Sequence, residues 1–197
     1  MLFRSQVNRI KITKNMQALQ YSKYGGPEVI QWKKIAHPEP AAGQILVLVK
    51  AASLNPTDTK IRLGFIRFPG SDIFPKTMGM DFSGIVIRIG EGVTNVKVGD
   101  NVMGCMGAQG GSFADYTLAD ASTTFAIPAN LSFEAAATLP MNAATALKVV
   151  NTYLKPTAGK TILINGAAGG LGLFKYNIAS LKEQPFLLPQ AEPGWRY

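Results

Sequence analysis

The sequence is poor in the residues that build disulfides and transition-metal sites, since 197 residues include one cysteine, Cys105, and one histidine, His37. A lone cysteine excludes an internal disulfide. One cysteine and one histidine are also too few for zinc clusters built from several Cys or His ligands. Cys105 stands in an apolar stretch and is predicted to be a buried structural thiol, whereas His37 precedes a proline and is predicted to lie exposed in a loop. No apolar run reaches about 18 residues, which excludes a transmembrane helix.

Acidic residues are missing from the first 15 positions, which contain Arg4, Arg9, Lys11 and Lys14. This basic extension, residues 1–15, is predicted to be disordered or to precede a start at Met16, with a mitochondrial presequence as the alternative. The whole chain has 20 basic and 12 acidic residues and a net charge of +8, which suggests a nucleic-acid or membrane partner. However, no zinc finger, RNP-type motif or basic helix accompanies the charge, so no specific nucleic-acid partner is expected.

The remaining composition is that of a folded protein, with 47% hydrophobic and 16% charged residues. Its 20 glycines and 12 prolines have no three-residue period, which excludes collagen. The length suits one domain or two small ones.

Short strands separated by turn residues dominate the chain up to Pro128, which predicts a partly open β-barrel. Asn55 and Pro56 are typical of a helix start, and that helix should end at Gly64. Residues 64–76 are predicted to form a loop. The predicted strands cover residues 17–22, 29–33, 44–52, 82–89, 100–106, 112–118 and 125–127.

The composition becomes rich in alanine after residue 128, where helix is predicted over residues 132–150 with a break at Pro140. A buried strand over residues 161–165 and a helix over residues 173–181 should follow. In residues 183–190 two prolines flank three apolar residues, so no second strand is expected there. The fold class is therefore mixed α+β, with a β-barrel-like domain followed by an incomplete α/β segment.

Glycines fill the corner between that strand and that helix, with the spacing Gly166-x-x-Gly169-x-x-Gly172. A dinucleotide pyrophosphate needs a tight turn, a backbone without obstructing Cβ atoms and a helix N-terminus directed at it. The alternative is a tight corner that binds no ligand.

Several motifs, taken in order along residues 16–180, resemble the zinc-free quinone oxidoreductase (ζ-crystallin-like) branch of the medium-chain dehydrogenase/reductase superfamily. Besides the opening segment at residues 16–29 and the glycine corner, they are Asn55-Pro56-Thr57-Asp58-Thr59-Lys60, Gly79-Met80-Asp81-Phe82-Ser83-Gly84, Gly111-Ser112-Phe113-Ala114-Asp115-Tyr116 and Ala135-Ala136-Ala137-Thr138-Leu139-Pro140.

The resemblance implies a GroES-like catalytic domain at residues 16–128 and the first part of a Rossmann NADP-binding domain at residues 129–180. It implies NADPH as cofactor and hydride transfer to a quinone or an α,β-unsaturated carbonyl. Asn55 and Met80 stand where related enzymes carry zinc ligands, so no metal is expected. The residues implied to bind the cofactor are Asn55, Thr145, Gly166, Ala167, Ala168, Gly169, Gly170, Leu171 and Gly172.

Asn55 and Lys60 are implied to act in catalysis: Asn55 would line the nicotinamide pocket, and Lys60 would stabilise a developing oxyanion. Their structural alternatives are a helix cap for Asn55 and a surface cation for Lys60, and Thr145 has the alternative of an ordinary helix residue. Asp58 is expected to serve the first helical turn rather than acid–base chemistry.

The chain departs from the family pattern at Asn177, where Gln is usual, and the resemblance ends near Ser180, which leaves residues 181–197 unmatched. A truncated or alternatively ended product with little or no activity is therefore expected. The alternatives are a non-catalytic interaction module and a degraded or splice-variant product. The resemblance also implies homo-oligomers for full-length members, and a cytoplasmic location is expected unless residues 1–15 act as a presequence.

Overall fold

A computed structural model describes residues 14–69, 72–155, 157, 161–180 and 186–187. The chain forms two compact units, Met1–Pro140 and Met141–Tyr197. The predictions for most of the basic extension, and for residues 181–197 apart from 186–187, lie outside the described residues. The domain boundary at residues 128–129 stays a prediction.

The strands and helices follow the chain in an order that is mainly β and then mainly α. The strands are β1 (Asn15–Tyr21), β2 (Gln31–Ala36), β3 (Gln44–Ser53), β4 (Lys76–Thr77), β5 (Asp81–Ile89), β6 (Asn101–Cys105), β7 (Tyr116–Asp120), β8 (Thr124–Ala126), β9 (Ile162–Leu163) and β10 (Phe186–Leu187). The helices are α1 (Pro56–Arg62), α2 (Phe133–Ala137), α3 (Pro140–Lys148) and α4 (Gly170–Ser180).

The first unit contains a five-stranded antiparallel sheet in the order β7-β3-β5-β6-β8. Alternate residues of its central strands, among them Ile45, Val47, Phe82 and Val86, form the main buried core. Gly84 permits the close approach of β5 to β3, because a Cβ there would lie 2.1 Å from the Leu48 carbonyl oxygen.

A second sheet in this unit has the order β2-β1-β4. Met16 and Ala18 on β1 are buried, while most of β2 is exposed because it is an edge strand. Strand β4 occupies part of the predicted loop, since Lys76 and Thr77 pair with β1.

Two predicted strands are displaced by competing hydrogen bonds. Residues Pro27–Val29 form a 3₁₀ turn, so the returning strand begins at Gln31. Phe113 donates its N–H to the Met78 carbonyl and accepts from Leu19 N, so β7 begins after this loop, at Tyr116 rather than at residue 112.

The second unit holds α3, a π-helical extension over Val149–Leu154, β9 and α4. The predicted helix break is confirmed, since α2 ends at Ala137 and α3 begins at Pro140. The expectation of no strand in residues 183–190 is wrong at Phe186 and Leu187, which pair in parallel with β9. The flanking prolines do not prevent this pairing, because it extends over two residues.

His37 lies in a loop as predicted, but the predicted exposure of His37 and the predicted full burial of Cys105 are wrong. His37 is half-buried, with its ring 4.5 Å from that of Tyr116, and its Nε2 is buried without a hydrogen-bond partner. Cys105 is half-buried rather than fully buried, because it ends β6 at the margin of the sheet. Within the described ranges no helix is long and apolar enough to cross a membrane.

Candidate functional site

A buried polar cluster lies in the first unit, where β3 ends, α1 begins and β5 starts. Its members Asn55, Asp58 and Asp81 have exposed fractions of 5%, 4% and 0%. Carboxylates are seldom buried unless hydrogen bonds stabilise them. The hydrogen-bond partners of Asp58 and Asp81 therefore explain how both can be buried.

Asn55 joins the two carboxylates. Its side-chain Nδ2 donates to Asp81 Oδ2 at 3.0 Å, and its backbone N–H donates to Asp58 Oδ2 at 2.7 Å. Ser53 Oγ lies 3.3 Å from the same Asp81 oxygen. Asn55 is also the N-cap residue of α1, and Asp58 N donates to the Asn55 carbonyl at 3.0 Å. Asp58 therefore does serve the first helical turn.

Burial disfavours the charged forms of the groups in this cluster. It raises the pKa of Asp58, and the neighbouring Asp81 charge raises it further. Burial also raises the pKa of the Cys105 thiol to about 11, with a smaller contribution from Asp81. Cys105 is therefore a thiol at neutral pH and a poor nucleophile.

A small cavity of about 20 Å³ adjoins this cluster and is lined by Asp58, Tyr21 and Met80 among other residues. This volume is too small for an organic ligand. Burial raises the pKa of Tyr21 to about 12, with further contributions from Tyr24 and Asp58. The Tyr21 phenol is therefore neutral at pH 7. The small cavity beside it gives an organic ligand no access to Asp58.

Lys60 and Thr145, which the family resemblance also places near the cofactor or the substrate, are exposed on helices. Lys60 is exposed on α1, whereas Asn55 at the start of the same helix is buried. Thr145 is exposed on α3, in the second unit. Asn55 is thus the one residue of the three that belongs to a buried hydrogen-bonded network.

The implied cofactor-binding glycines converge at one corner of the second unit, between β9 and α4. Gly166 has φ +69°, a conformation that favours glycine, and Gly169 N donates to the Gly166 carbonyl at 3.0 Å. A Cβ on Gly172 would lie 2.0 Å from the Gly166 carbonyl oxygen. The helix can therefore pack this tightly against the turn only with glycine at position 172.

This corner has the features that a pyrophosphate requires. Open space surrounds the Cβ position of Gly166, so a ligand can approach the backbone there. The first N–H groups of α4, from Gly170 onward, have no acceptor within the helix and carry the positive end of its dipole. The residues present therefore fit a dinucleotide phosphate.

Sequence reasoning missed two contributions to these sites. Asp81 has a detectable signal, a carboxylate at the start of a mainly apolar strand. Asn142 lies near the glycine corner, since a Cβ on Gly170 would meet its side-chain amide at 3.5 Å. Its only signal is a single amide in an alanine-rich helix. Among the described residues, no group of three or more His, Cys, Asp and Glu side chains could hold a metal ion.

Comparison with known proteins relates this geometry to a family. Residues 41–129 match the family model of the alcohol dehydrogenase GroES-like domain. Quinone oxidoreductase of Rattus norvegicus is 35% identical over 168 residues, which cover 84% of this chain and 50% of the rat protein. NADPH-dependent alkenal/one oxidoreductase, chloroplastic, of Arabidopsis thaliana is 36% identical over 177 residues, or 85% of this chain and 45% of that protein.

A solved structure extends the likeness to three dimensions. The quinone oxidoreductase of Coxiella burnetii matches with a TM-score of 0.85 at 34% identity, covering 91% of this chain and 57% of that one. The expected fold class, a GroES-like β domain followed by an α/β segment, is thereby confirmed. The chain spans about half the length of the curated relatives it matches.

Proposed function

We propose that this chain is a zinc-free member of the quinone oxidoreductase family, on the strength of its 35% identity to the rat quinone oxidoreductase and its match to the alcohol dehydrogenase GroES-like domain over residues 41–129. The proposed reaction is zinc-independent reduction of a quinone or an α,β-unsaturated carbonyl with NADPH. The observation that carries the proposal is the open glycine corner at the N-terminus of α4, in a chain that also buries the Asn55–Asp81 cluster.

The backbone of residues 166–172 would hold the pyrophosphate, with the N-terminal end of α4 directed at its charge. When bound, NADPH supplies the hydride. Gly166 keeps the approach open, and Gly172 lets the helix pack close to the turn. Ala167, Ala168, Gly169, Gly170 and Leu171 complete this segment.

In the first unit Asn55 would line the nicotinamide pocket, and its amide is held by Asp81 rather than by solvent. Lys60 would supply a mobile cation for a developing oxyanion, a role that its exposure permits. Thr145, exposed on α3, is also proposed to contact the cofactor. We place this chemistry in the cytoplasm.

We also propose that residues 1–197 by themselves turn over slowly. The parallel sheet among the described residues of the second unit consists of β9 and β10, with two residues each. A dinucleotide site of full affinity normally uses several longer parallel strands.

The test is NMR titration of the whole chain with NADPH, followed by an assay of quinone-dependent NADPH oxidation with menadione. We expect shifts of the amides of residues 166–172 without saturation at micromolar NADPH, and little oxidation. Gly169→Asp, which places a negative charge at the corner, should abolish the shifts. Amides that do not move even at millimolar NADPH would refute the cofactor site. Tight binding with rapid oxidation would refute the slow turnover alone.

The alternative is a non-catalytic interaction module. It is favoured by apolar side chains on the surface of the second unit, where Leu163 on β9 is 66% exposed and Leu173 on α4 is 51% exposed. Light scattering after size exclusion distinguishes the two, because a stable monomer that captures no partner contradicts a module.

A further inference from the structure

Positive charge is distributed unevenly along the chain. Residues 1–77 contain twelve Lys and Arg but only four Asp and Glu, whereas residues 78–197 contain eight of each kind. The entire net charge of +8 therefore resides in the first 77 positions. Such asymmetry between two parts of a chain is typical of proteins that meet a polyanionic surface. The proposed hydride transfer makes no use of it.

One side of the β2-β1-β4 sheet collects part of this charge. The pairing register places Trp32, Lys34 and Lys76 on the same side, each directly opposite a β1 residue of that side. The other side carries Met16 and Ala18 into the core. We call the first side the outer face; its accessible part comprises Gln17, Leu19, Trp32 and Lys34, whereas at its far end Lys76 is half-buried and Tyr21 is buried.

Large apolar side chains accompany the cations on this surface. Trp32 is 67% exposed. Phe74, in the loop before β4, covers the far end of the outer face, with its ring edge-on to that of the buried Tyr21 and centroids 5.9 Å apart. Exposed Trp side chains among lysines are typical of surfaces that enter the headgroup layer of a bilayer.

The acidic groups beside the outer face already have partners within the chain. Asp115 accepts from Gln17 N at 2.8 Å, and Asp72 accepts from the Tyr24 hydroxyl. In the described part of the chain, neither Lys34 nor Lys76 forms a salt bridge with a carboxylate. Lys76 Nζ lies over the Tyr24 and Phe74 rings, 5.3 Å from each centroid, so Lys34 is the lysine of this face that can pair with an anion from outside.

We propose that the outer face docks reversibly on a bilayer that contains anionic phospholipids. Trp32 would enter the headgroup layer, while Lys34 would pair with lipid phosphates. Apolar insertion distinguishes this partner from a nucleic acid, which would meet the face through charge and stacking alone.

The experiment uses the full chain with Trp195→Phe, so that Trp32 is its only tryptophan. The chain is mixed with phosphatidylcholine vesicles that contain either no phosphatidylserine or about 30% of it. That fraction makes the vesicle surface strongly anionic. We expect co-sedimentation and a blue shift of Trp32 fluorescence with the anionic vesicles. The binding should weaken in high salt, because screening shortens the electrostatic attraction.

Matched variants locate the binding surface. Lys34→Glu should weaken the binding by about tenfold, since it changes two charges at the surface. Lys148→Glu, on α3, should have a far smaller effect. Trp32→Ala should weaken sedimentation, whereas Phe125→Ala, which alters an edge-strand aromatic that is 62% exposed, should not.

Four results would overturn the proposal. The first is absence of binding to anionic vesicles, and the second is equal effects of the Lys34 and Lys148 variants. The third is loss of binding only when Arg4, Arg9 and Lys11 are replaced by alanine, which would assign it to the extension. The fourth is equally tight, Lys34-dependent binding of a single-stranded oligonucleotide, which would indicate a nucleic-acid surface.

Discussion

The Asn55 side-chain amide donates its hydrogen bond to Asp81 across the junction of two strands, with Nδ2 3.0 Å from Oδ2. Asp81 is fully buried, and Asn55 is 5% exposed. A residue that the sequence marks as a helix cap and cofactor contact is thus fixed by a carboxylate 26 positions away. The pair ties the start of α1 to the start of β5.

Replacing Asp81 by alanine should lower the free energy of unfolding by about 1–3 kcal/mol, because it removes the shorter of the two hydrogen bonds that the buried Asn55 amide donates to Asp81 and Ser53. Asp81→Asn should cost less, since its carbonyl oxygen can still accept. Chemical denaturation monitored by circular dichroism measures both. Asp120→Ala, on the exposed end of β7, is the control. Equal stability of Asp81→Ala and the control would contradict the role of the pair.

Asp58 should make the fold less stable as the pH rises. Burial raises its folded pKa above the ordinary value of 3.8, so the folded state holds its proton more tightly than the unfolded state does. Stability from this group is complete below pH 3.8 and falls as the pH rises toward the folded pKa. Asp58→Asn should flatten this part of the profile of unfolding free energy against pH. An unchanged slope in the variant would show that other groups cause it.

Cys105 should react slowly with thiol reagents in the folded protein. With its pKa raised to about 11, the thiolate fraction at pH 8 is roughly 100-fold below that of an ordinary cysteine. The rate of reaction with Ellman's reagent should therefore rise at least that much in guanidinium chloride. Because Cys105 is the single cysteine, the signal has one source. Similar rates in the two states would contradict the shift.

Gly172→Ala should destabilise the second unit by about 1–3 kcal/mol, since its Cβ would overlap the Gly166 carbonyl oxygen. Gly169→Ala is the matched control, because its Cβ would lie 3.4 Å from that same oxygen. Hydrogen exchange of the α4 amides reports the local stability of each variant. If both exchange at the wild-type rate, the corner is looser than its geometry indicates.

The strands that alternate or run apolar were predictable, as β3 and β5 illustrate, because their pattern is set by a single buried sheet. The start of α1 and the break at Pro140 were predictable from local backbone chemistry. Strand β4 was not, since its two residues become a strand only through pairing with β1. The same holds for β10, where two residues pair despite neighbouring prolines.

The candidate site residues also fall into two groups, those predictable from neighbouring residues and those that depend on long-range contacts. The residues of the glycine corner are neighbours in sequence, so the spacing of the glycines is enough to predict the tight turn. The Asn55–Asp81 pair depends on strand register over a separation of 26 residues, which no local pattern encodes. The half-buried position of His37 is equally non-local, because Tyr116 covers its ring.

The order of strands along the chain has a consequence for biosynthesis. Every strand of the β7-β3-β5-β6-β8 sheet lies between residues 44 and 126, and the β2-β1-β4 sheet is complete by residue 77. A ribosome adds about 5–20 residues per second, and segments that emerge first generally fold first. The first unit can therefore close its core while the glycine corner is still being synthesised, which shields its apolar strands from the aggregation that threatens a nascent β protein.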